Sequence, residues 1–482
     1  MIDVRPIVVV EGIFILVIGL LMMVPGAVDW AASDPEWKAF MVGSGISIIA
    51  GILMVSSSWT GDISFNIRQG FLLTTTSWIL ISAVSAIPFV FAGLKIDYTD
   101  AFFEAMSGLT TTGSTVLSGL DGMPSGILLW RSLLQWIGGI GIIVTAVAML
   151  PFLRVGGMQL FRMESSDKSE KIMPRAAQIA AVIGLVYFGL TVLNAIAYAL
   201  AGMTGFEAVN HAMTTLSTGG FSTSDQSMGH FKAPAIRWVA TAFMLLSGLP
   251  FVLYANALHG KWKDLFHNSQ VQSFIYFLLL VILSLSAWLS IIKGVPVSKA
   301  IRLTAFNVVS VVTTTGYAST DYSLWGTFPI VVFFFLTFVG GCTGSTSGGI
   351  KIFRFEIMYR IIRQQLHSML YPSGVFIVRY NSRNLPSEVM RSIGIFVSQF
   401  CAIIVLMTFL LSMTGLDLMT SVTGAATAIA NVGPGLGAII GPAGNFSSLP
   451  DTAKWILSIG MLVGRLEIMT VLVLLTRGFW KA

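Results

Sequence analysis

Residues 103–113 read Phe103-EAMSGLTTT-Gly113, and residues 306–316 read Phe306-NVVSVVTTT-Gly316. The two share a ten-residue spacing, a Ser in the same register (Ser107, Ser310) and the ending TTTG. Two identical endings at one register in one chain are an internal-repeat signal. Two further stretches fit the pattern. Val209-NHAMTTLST-Gly219 keeps the closing Ser-Thr-Gly and an Asn shared with the later copy (Asn210, Asn307), and Thr423-GAATAIANV-Gly433 is the most diverged. The glycines stand 106, 97 and 117 residues apart (219−113, 316−219, 433−316).

Each copy lies between long apolar runs. Ten such runs occur, at 7–27, 40–57, 70–92, 127–153, 179–201, 236–258, 271–292, 328–339, 393–413 and 455–475. Most reach the ~20 residues that a helix needs to cross a bilayer. With 55% hydrophobic and 10% charged residues and a mean hydropathy of +0.83, the chain is far from the roughly 25% charged composition of soluble domains. The expected fold is an all-α polytopic membrane protein of ten transmembrane helices. The last eight form four pseudo-fourfold helix–pore-loop–helix repeats around a central pore. The chain divides into two extra N-terminal helices (1–65) and repeats at 66–165, 166–268, 269–385 and 386–482. The first run, preceded only by Arg5 and closed by no small-residue cleavage site, reads as a retained span.

The net charge of +6 is distributed over alternate loops. Basic residues gather at Arg68; at Arg154, Arg162, Lys168, Lys171 and Arg175; at Lys261 and Lys263; at Arg360, Arg363, Arg379, Arg383 and Arg391; and at Arg477 and Lys481. Positive loops stay in the cytoplasm, which places both termini inside and makes the 354–391 segment the largest cytoplasmic surface. This patterning speaks for a membrane and against nucleic acid. Cys342 and Cys401, the only cysteines, both fall in membrane-embedded sequence and read as buried small apolar residues, with no disulfide framework or metal spacing.

Irregular backbone at membrane depth is tolerated only where protein buries it or where it lines a water-filled cavity. Four loops around one axis can share such a cavity. A half-helix carries about −0.5 charge at its carbonyl end, so four of them converging favour a cation. Glycine leaves no side chain in the lumen and permits positive φ. The carbonyls before it can then turn inward and replace a hydration shell, as in potassium-selective filters. Taken singly, any of these glycines reads as a helix-packing residue; four in one register do not.

The strings FEAMSGLTTTGST, STGGFST, FNVVSVVTTTGY, ANVGPG and GGCTGSTSGGIK resemble the Trk/Ktr/HKT superfamily of potassium transporters. The two extra N-terminal spans are more similar to its bacterial TrkH/TrkG type than to the shorter KtrB type. The resemblance implies channel-like potassium uptake in the bacterial inner membrane and a homodimer with one pore per subunit. It also implies gating by a cytosolic ring of nucleotide-binding TrkA-type subunits. It implies further that carbonyls of Thr111 and Thr112, Ser217 and Thr218, Thr314 and Thr315, and Asn431 and Val432 coordinate the ion. The filter glycines would be Gly113, Gly219, Gly316 and Gly433. None of the four is the serine that accompanies sodium transport in plant relatives.

The stretch from Thr327 to about His367 is too long for one span: roughly 40 residues at 1.5 Å each would reach about 60 Å, twice the hydrocarbon thickness. Its middle, Gly340-Gly341-Cys342-Thr343-Gly344-Ser345-Thr346-Ser347-Gly348-Gly349, holds five glycines and four hydroxyl residues. Such a sequence breaks a helix and can lie across the cavity as a flexible barrier; a kinked helix packed through small residues is the other reading. The resemblance implies the gating role. Lys351 either faces the cavity or snorkels to the interface, the interface being the better fit. Arg465 and Glu467 interrupt the last run, two apart and hence about 200° around a helix, too far round to pair. Intramembrane charges usually face a cavity or a partner. Arg465 reads as a fixed positive charge below the fourth loop, or else as structurally paired; Glu467 reads as a structural partner. Glu104, Glu207 and Asp417 read as helix caps at the starts of half-helices, and His211 as structural.

No phosphate-binding loop, dinucleotide fingerprint or convergent catalytic set occurs, which excludes an enzyme on present signals. A secondary transporter coupling potassium to protons or sodium is the alternative, with the loops offering hydroxyls and glycines where a coupled carrier often has ionisable groups.

Overall fold

The computed structural model describes residues 2–59, 65–149, 172–380 and 383–481. Arg154, Arg162, Lys168 and Lys171, four of the basic residues assigned above to a cytoplasmic loop, lie outside the described residues. The fold is mostly helical. Seven helices among the described residues are long and apolar enough to cross a membrane, and nine if each of two bent pairs counts as one span.

An N-terminal hairpin, Arg5–Ala31 and Trp37–Ser58, is joined to the helices Ile67–Ser85 and Ser125–Met149 through buried polar contacts. Asp29, fully buried, accepts from Gly126 N at 2.5 Å, and Glu11 accepts from the Thr76 hydroxyl. Four short helices then recur between the longer ones: Tyr98–Leu109, Gly205–Leu216, Val297–Val312 and Leu418–Ala430. Three of them start on a side-chain cap, which satisfies the free N–H groups of a first turn. Asp97 accepts from Asp100 N, Thr204 and Glu207 form a reciprocal capping box, and Asp417 accepts from Thr420 N. Glu207 and Asp417 therefore cap as the sequence indicates, and Glu104 does not, since it sits mid-helix.

Three of the expected spans are not single helices. The run 236–258 is Pro234–Ser247 followed by Phe251–Leu258 at 90°, broken around Gly248 and Pro250, where proline removes a donor and restricts its predecessor. The run 455–475 is Asp451–Arg465 followed by Met469–Leu475 at 106°. The run 328–339 is a ten-residue helix, Thr327–Leu336, about half a crossing. Beyond it the chain forms a loop closed by a two-residue parallel pairing, Val339 with Ile350 and Gly340 with Lys351, and resumes as the helix Ile352–Leu370. The supposed loop 354–391 is thus a helix plus a hairpin, Arg379–Tyr380 against Arg383–Asn384, with its own small core of Phe353, Ile357, Val378, Tyr380, Leu385, Val389 and Ile393.

The main core runs through the short helices and their neighbours, while large apolar side chains such as Leu185, Phe188, Leu280, Leu283 and Phe409 point outward. In water such a surface would be costly; in lipid it is the expected face. Cys342 is buried, but Cys401 is exposed on the helix Ser387–Ser412, so its reading as a buried residue is corrected.

Candidate functional site

The four short helices end alike. In each, one non-glycine residue just past the C-terminus adopts the left-handed conformation: Thr111 (φ 53), Thr218 (φ 53), Thr314 (φ 59) and Asn431 (φ 54). The next residue's N–H reaches back five residues: Thr112 to Ser107 O, Gly219 to Thr214 O, Thr315 to Ser310 O and Val432 to Thr427 O. The position after that is Gly113, Gly220, Gly316 and Gly433. The structural equivalent of Gly113 is therefore Gly220, one residue beyond the Gly219 that sequence alignment selects, and the matching pair of preceding residues is Thr218 and Gly219 in place of Ser217 and Thr218. Ser217 caps the helix end instead. Gly113, Gly220 and Gly316 share φ near +80 (85, 79 and 80), a conformation glycine alone adopts freely. Gly433 does not, and it precedes Pro434, which restricts the backbone of the residue before it.

These segments close a ring. A Cβ on Gly113 would run into Gly219 O, one on Gly220 into Thr315 O, one on Gly316 would come within 2.9 Å of Gly433 N, and one on Gly433 within 3.2 Å of Thr112 O. Each glycine thus abuts the next copy's backbone, and the fourth abuts the first. Hydroxyls brace the ring: Thr110 with Thr112 and Thr313 with Thr315, both at 2.8 Å, Ser114 Oγ donating to Gly433 O at 2.8 Å, and Asn431 Nδ2 donating to Thr112 Oγ1 at 2.9 Å. Thr111, Thr112, Thr218, Thr314, Thr315, Asn431 and Val432 are all buried.

In the first three copies the segment returning from the ring is tied to its short helix from one equivalent position, nine residues before the ring glycine. There Glu104 accepts from Val116 N at 2.9 Å, His211 Nε2 bonds Ser222 Oγ at 3.0 Å, and Asn307 Nδ2 donates to Ser319 Oγ at 2.9 Å. This corrects the pairing of Asn210 with Asn307: His211 holds that place. Glu104 is fully buried and ion-paired with Arg131 at 2.7 Å. On this side of the ring a cavity of 390 Å³ reaches all four glycines and is walled by the returning segments, including Ser114, Phe221, Asp225 and Pro434.

The opposite side is covered by the loop 341–349. Cys342 N donates to Gly248 O and Phe251 N to Gly344 O, both at 2.9 Å, at the bend that breaks the run 236–258. Thr343 N donates to Gln270 Oε1 at 2.9 Å. Thr346 Oγ1 donates to Leu216 O at 3.1 Å, and Gly348 N to Thr314 Oγ1 at 2.7 Å, both at ends of the short helices. Inside the loop, Gly341 N donates to Ser347 Oγ at 2.7 Å and Ser345 Oγ to Cys342 O at 2.6 Å. A sequence read as slack is here fastened to the second copy of the repeat and to its own, the third. Gly340 and Gly349 lie at its pinched neck.

Arg465 ends its helix at the bend, buried, and Nη1 donates to Thr346 O at 2.9 Å; Nε and Nη2 find no acceptor among the described residues. Among the described residues its one hydrogen-bond partner is thus a carbonyl of this loop and not a carboxylate. Lys351 does not snorkel: its Nζ turns back to donate to Ser347 O. Glu467, whose partner the sequence left open, pairs with buried Arg354 at 2.7 Å, and that guanidinium also stacks 3.6 Å from the Phe396 ring centroid. Arg131, Gln135 and Arg354 escaped the sequence reading. The signal for the first two was present, a charged and an amide residue four apart inside an apolar run.

The TrkH family, described as cation transport proteins, matches residues 36–479. The Trk system potassium uptake protein TrkI of Halomonas elongata is 48% identical over 99% of this chain and 97% of its own length. The Trk system potassium uptake protein TrkH of Escherichia coli K12 is 36% identical over 99% of each chain. The crystal structure of the potassium transporter TrkH from Vibrio parahaemolyticus superposes with a TM-score of 0.93 at 33% identity, covering both chains completely. The ring of glycines, the cavity above it and the braced loop below it are thus set in a fold shared with membrane transporters, and the chain belongs to the TrkH family of cation transport proteins.

Proposed function

We propose that the chain conducts potassium across the bacterial inner membrane as the ion-translocating subunit of a Trk-type uptake system. The observation that carries this reading is the closed ring in which Gly113, Gly220, Gly316 and Gly433 each abut the next copy's backbone, at the carbonyl ends of four short helices. Backbone oxygens at a helix C-terminus favour a cation, and glycine keeps the lumen free of side chains. Coordination falls to the carbonyls of Thr111 and Thr112, Thr218 and Gly219, Thr314 and Thr315, and Asn431 and Val432. The relatives in the TrkH family described above are potassium uptake proteins or a potassium transporter, and potassium is the ion assigned to this chain on that ground.

The loop 340–349, with Lys351 and Arg465, is the gate in its closed form. It lies against the ends of the short helices, and Arg465 and Lys351 donate to the carbonyls of its residues Thr346 and Ser347. The four repeats surround one pore per subunit, the termini are cytoplasmic, and the subunit works as a homodimer. The helix Ile352–Leu370 and the hairpin after it present exposed Tyr359, Leu366, Met369 and Leu370 beside Arg360 and Arg363, a surface fit for a cytosolic TrkA-type regulatory subunit. Purified protein reconstituted in liposomes tests the whole reading: potassium influx well above that of sodium is expected, and equal fluxes of the two ions would refute it.

A further inference from the structure

We infer that Gln135, assisted by Arg131, is a positioning residue for ion discrimination: from the first repeat it fixes the ring segment of the second, and Gly219 is a glycine to admit its carboxamide. The inference rests on the conduction reading above. It also accounts for a doubled glycine, Gly219-Gly220, where two other copies have Thr-Gly.

Arg131 and Gln135 lie one turn apart on the helix Ser125–Met149, so they share a face. Both are buried, at 1% and 0% exposure. Gln135 Nε2 donates to Gly219 O at 2.6 Å, and its Oε1 accepts from Phe221 N at 3.0 Å. One carboxamide therefore straddles Gly220, the ring glycine, from outside. One turn along, Arg131 Nη1 donates to Ser222 O at 3.0 Å, with its guanidinium 4.1 Å from the Phe221 ring centroid. Its remaining contacts, Nε to Glu104 and Nη2 to Thr115 Oγ1 at 3.1 Å, anchor it to the first repeat. The backbone from 219 to 222 is held at three points by a neighbouring repeat.

Any side chain at position 219 would overlap the Gln135 carboxamide. Gly219 has no positive φ, so conformational freedom does not explain it; the approach of the amide does. Gly219 O is also the oxygen that abuts Gly113. A carbonyl that already accepts an amide N–H has less electron density to offer a cation, and discrimination between cations depends on the number and field strength of coordinating carbonyls and on their spacing. Gln135 thus sets both for one quarter of the ring.

The test measures reversal potentials of purified, reconstituted protein under potassium, rubidium and sodium gradients. Gln135→Glu keeps size and the acceptor for Phe221 N but loses the donor to Gly219 O; the potassium-to-sodium permeability ratio should fall at least fivefold. Gly219→Ala should lower it similarly in the wild-type background and have little further effect in Gln135→Ala, where the space is open, because residues in contact couple non-additively. A wild-type ratio in Gln135→Glu, or a Gly219→Ala effect that persists in full without Gln135, overturns the inference. A purely structural Gln135 would lower yield and thermal stability and leave the ratio unchanged, which also overturns it. Wild-type protein that does not conduct potassium at all would instead defeat the conduction reading.

Discussion

Arg465 Nη1 donates to the carbonyl of Thr346 across 2.9 Å, and this bond ties the last residue of one helix to the middle of the loop that covers the glycine ring. A hydrogen bond to a charged group contributes about 1.5–3 kcal/mol, enough to shift a closed–open equilibrium roughly tenfold or more. Arg465→Ala should therefore raise potassium flux in liposomes without any regulatory subunit, by about tenfold at low external potassium. Arg465→Lys should keep most of the barrier, since a point charge remains. Flux is read per monodisperse, folded molecule. Reduced flux from Arg465→Ala at normal yield would mean that Arg465 helps to open the gate.

Two residues further on, Glu467 pairs with Arg354 at the start of the helix that succeeds the loop. Glu467 and Ile468 both adopt positive φ (57 and 45), an unusual strain for a β-branched residue, and so the bend is held from both sides. Glu467→Gln should leave buried Arg354 without its counter-charge, lower the melting temperature in detergent by several degrees and raise basal flux. The exchange Arg354→Glu with Glu467→Arg should recover part of the stability. A melting temperature unchanged in Glu467→Gln would show that the pair does not hold the bend.

Removing Thr343, Gly344 and Ser345 takes out the contacts to Gln270 and to Phe251 N. The shortened loop can no longer reach across the ends of the short helices. Flux that persists without a regulatory subunit is expected, and a folded but closed deletion variant would place the barrier elsewhere.

Gly113→Ser places a Cβ against Gly219 O at φ +85. The strained residue must displace the neighbouring segment, at a cost of about 1–2 kcal/mol for the left-handed conformation alone. Sodium permeation relative to potassium should rise several-fold. An unchanged ratio in a folded, active variant would remove Gly113 from the filter.

The repeats were legible because TTTG recurs intact before Gly113 and Gly316. The second copy was misread by one residue because STGG offers two glycines and Asn210 invited pairing with Asn307; only the left-handed Thr218 and the back-bond from Gly219 N identify Gly220. The break near Gly248 and Pro250 was written in helix-breaking residues that an apolar-run count ignores. The break after Arg465 is marked only by Gly464, since Leu466, Glu467 and Ile468 are not helix breakers. Glu104 looked like a cap from its place early in a short helix, but its partner Arg131 lies 27 residues away, a distance that local reasoning does not cross.

The reversal potential of reconstituted protein under a potassium gradient, with opposing proton and sodium gradients imposed in turn, separates a passive potassium pore from a coupled carrier. A passive potassium pore gives a reversal potential that tracks the potassium gradient and is unmoved when either of the other two is reversed. A reversal potential that shifts with the proton or sodium gradient would contradict a passive potassium pore and make the chain a coupled carrier.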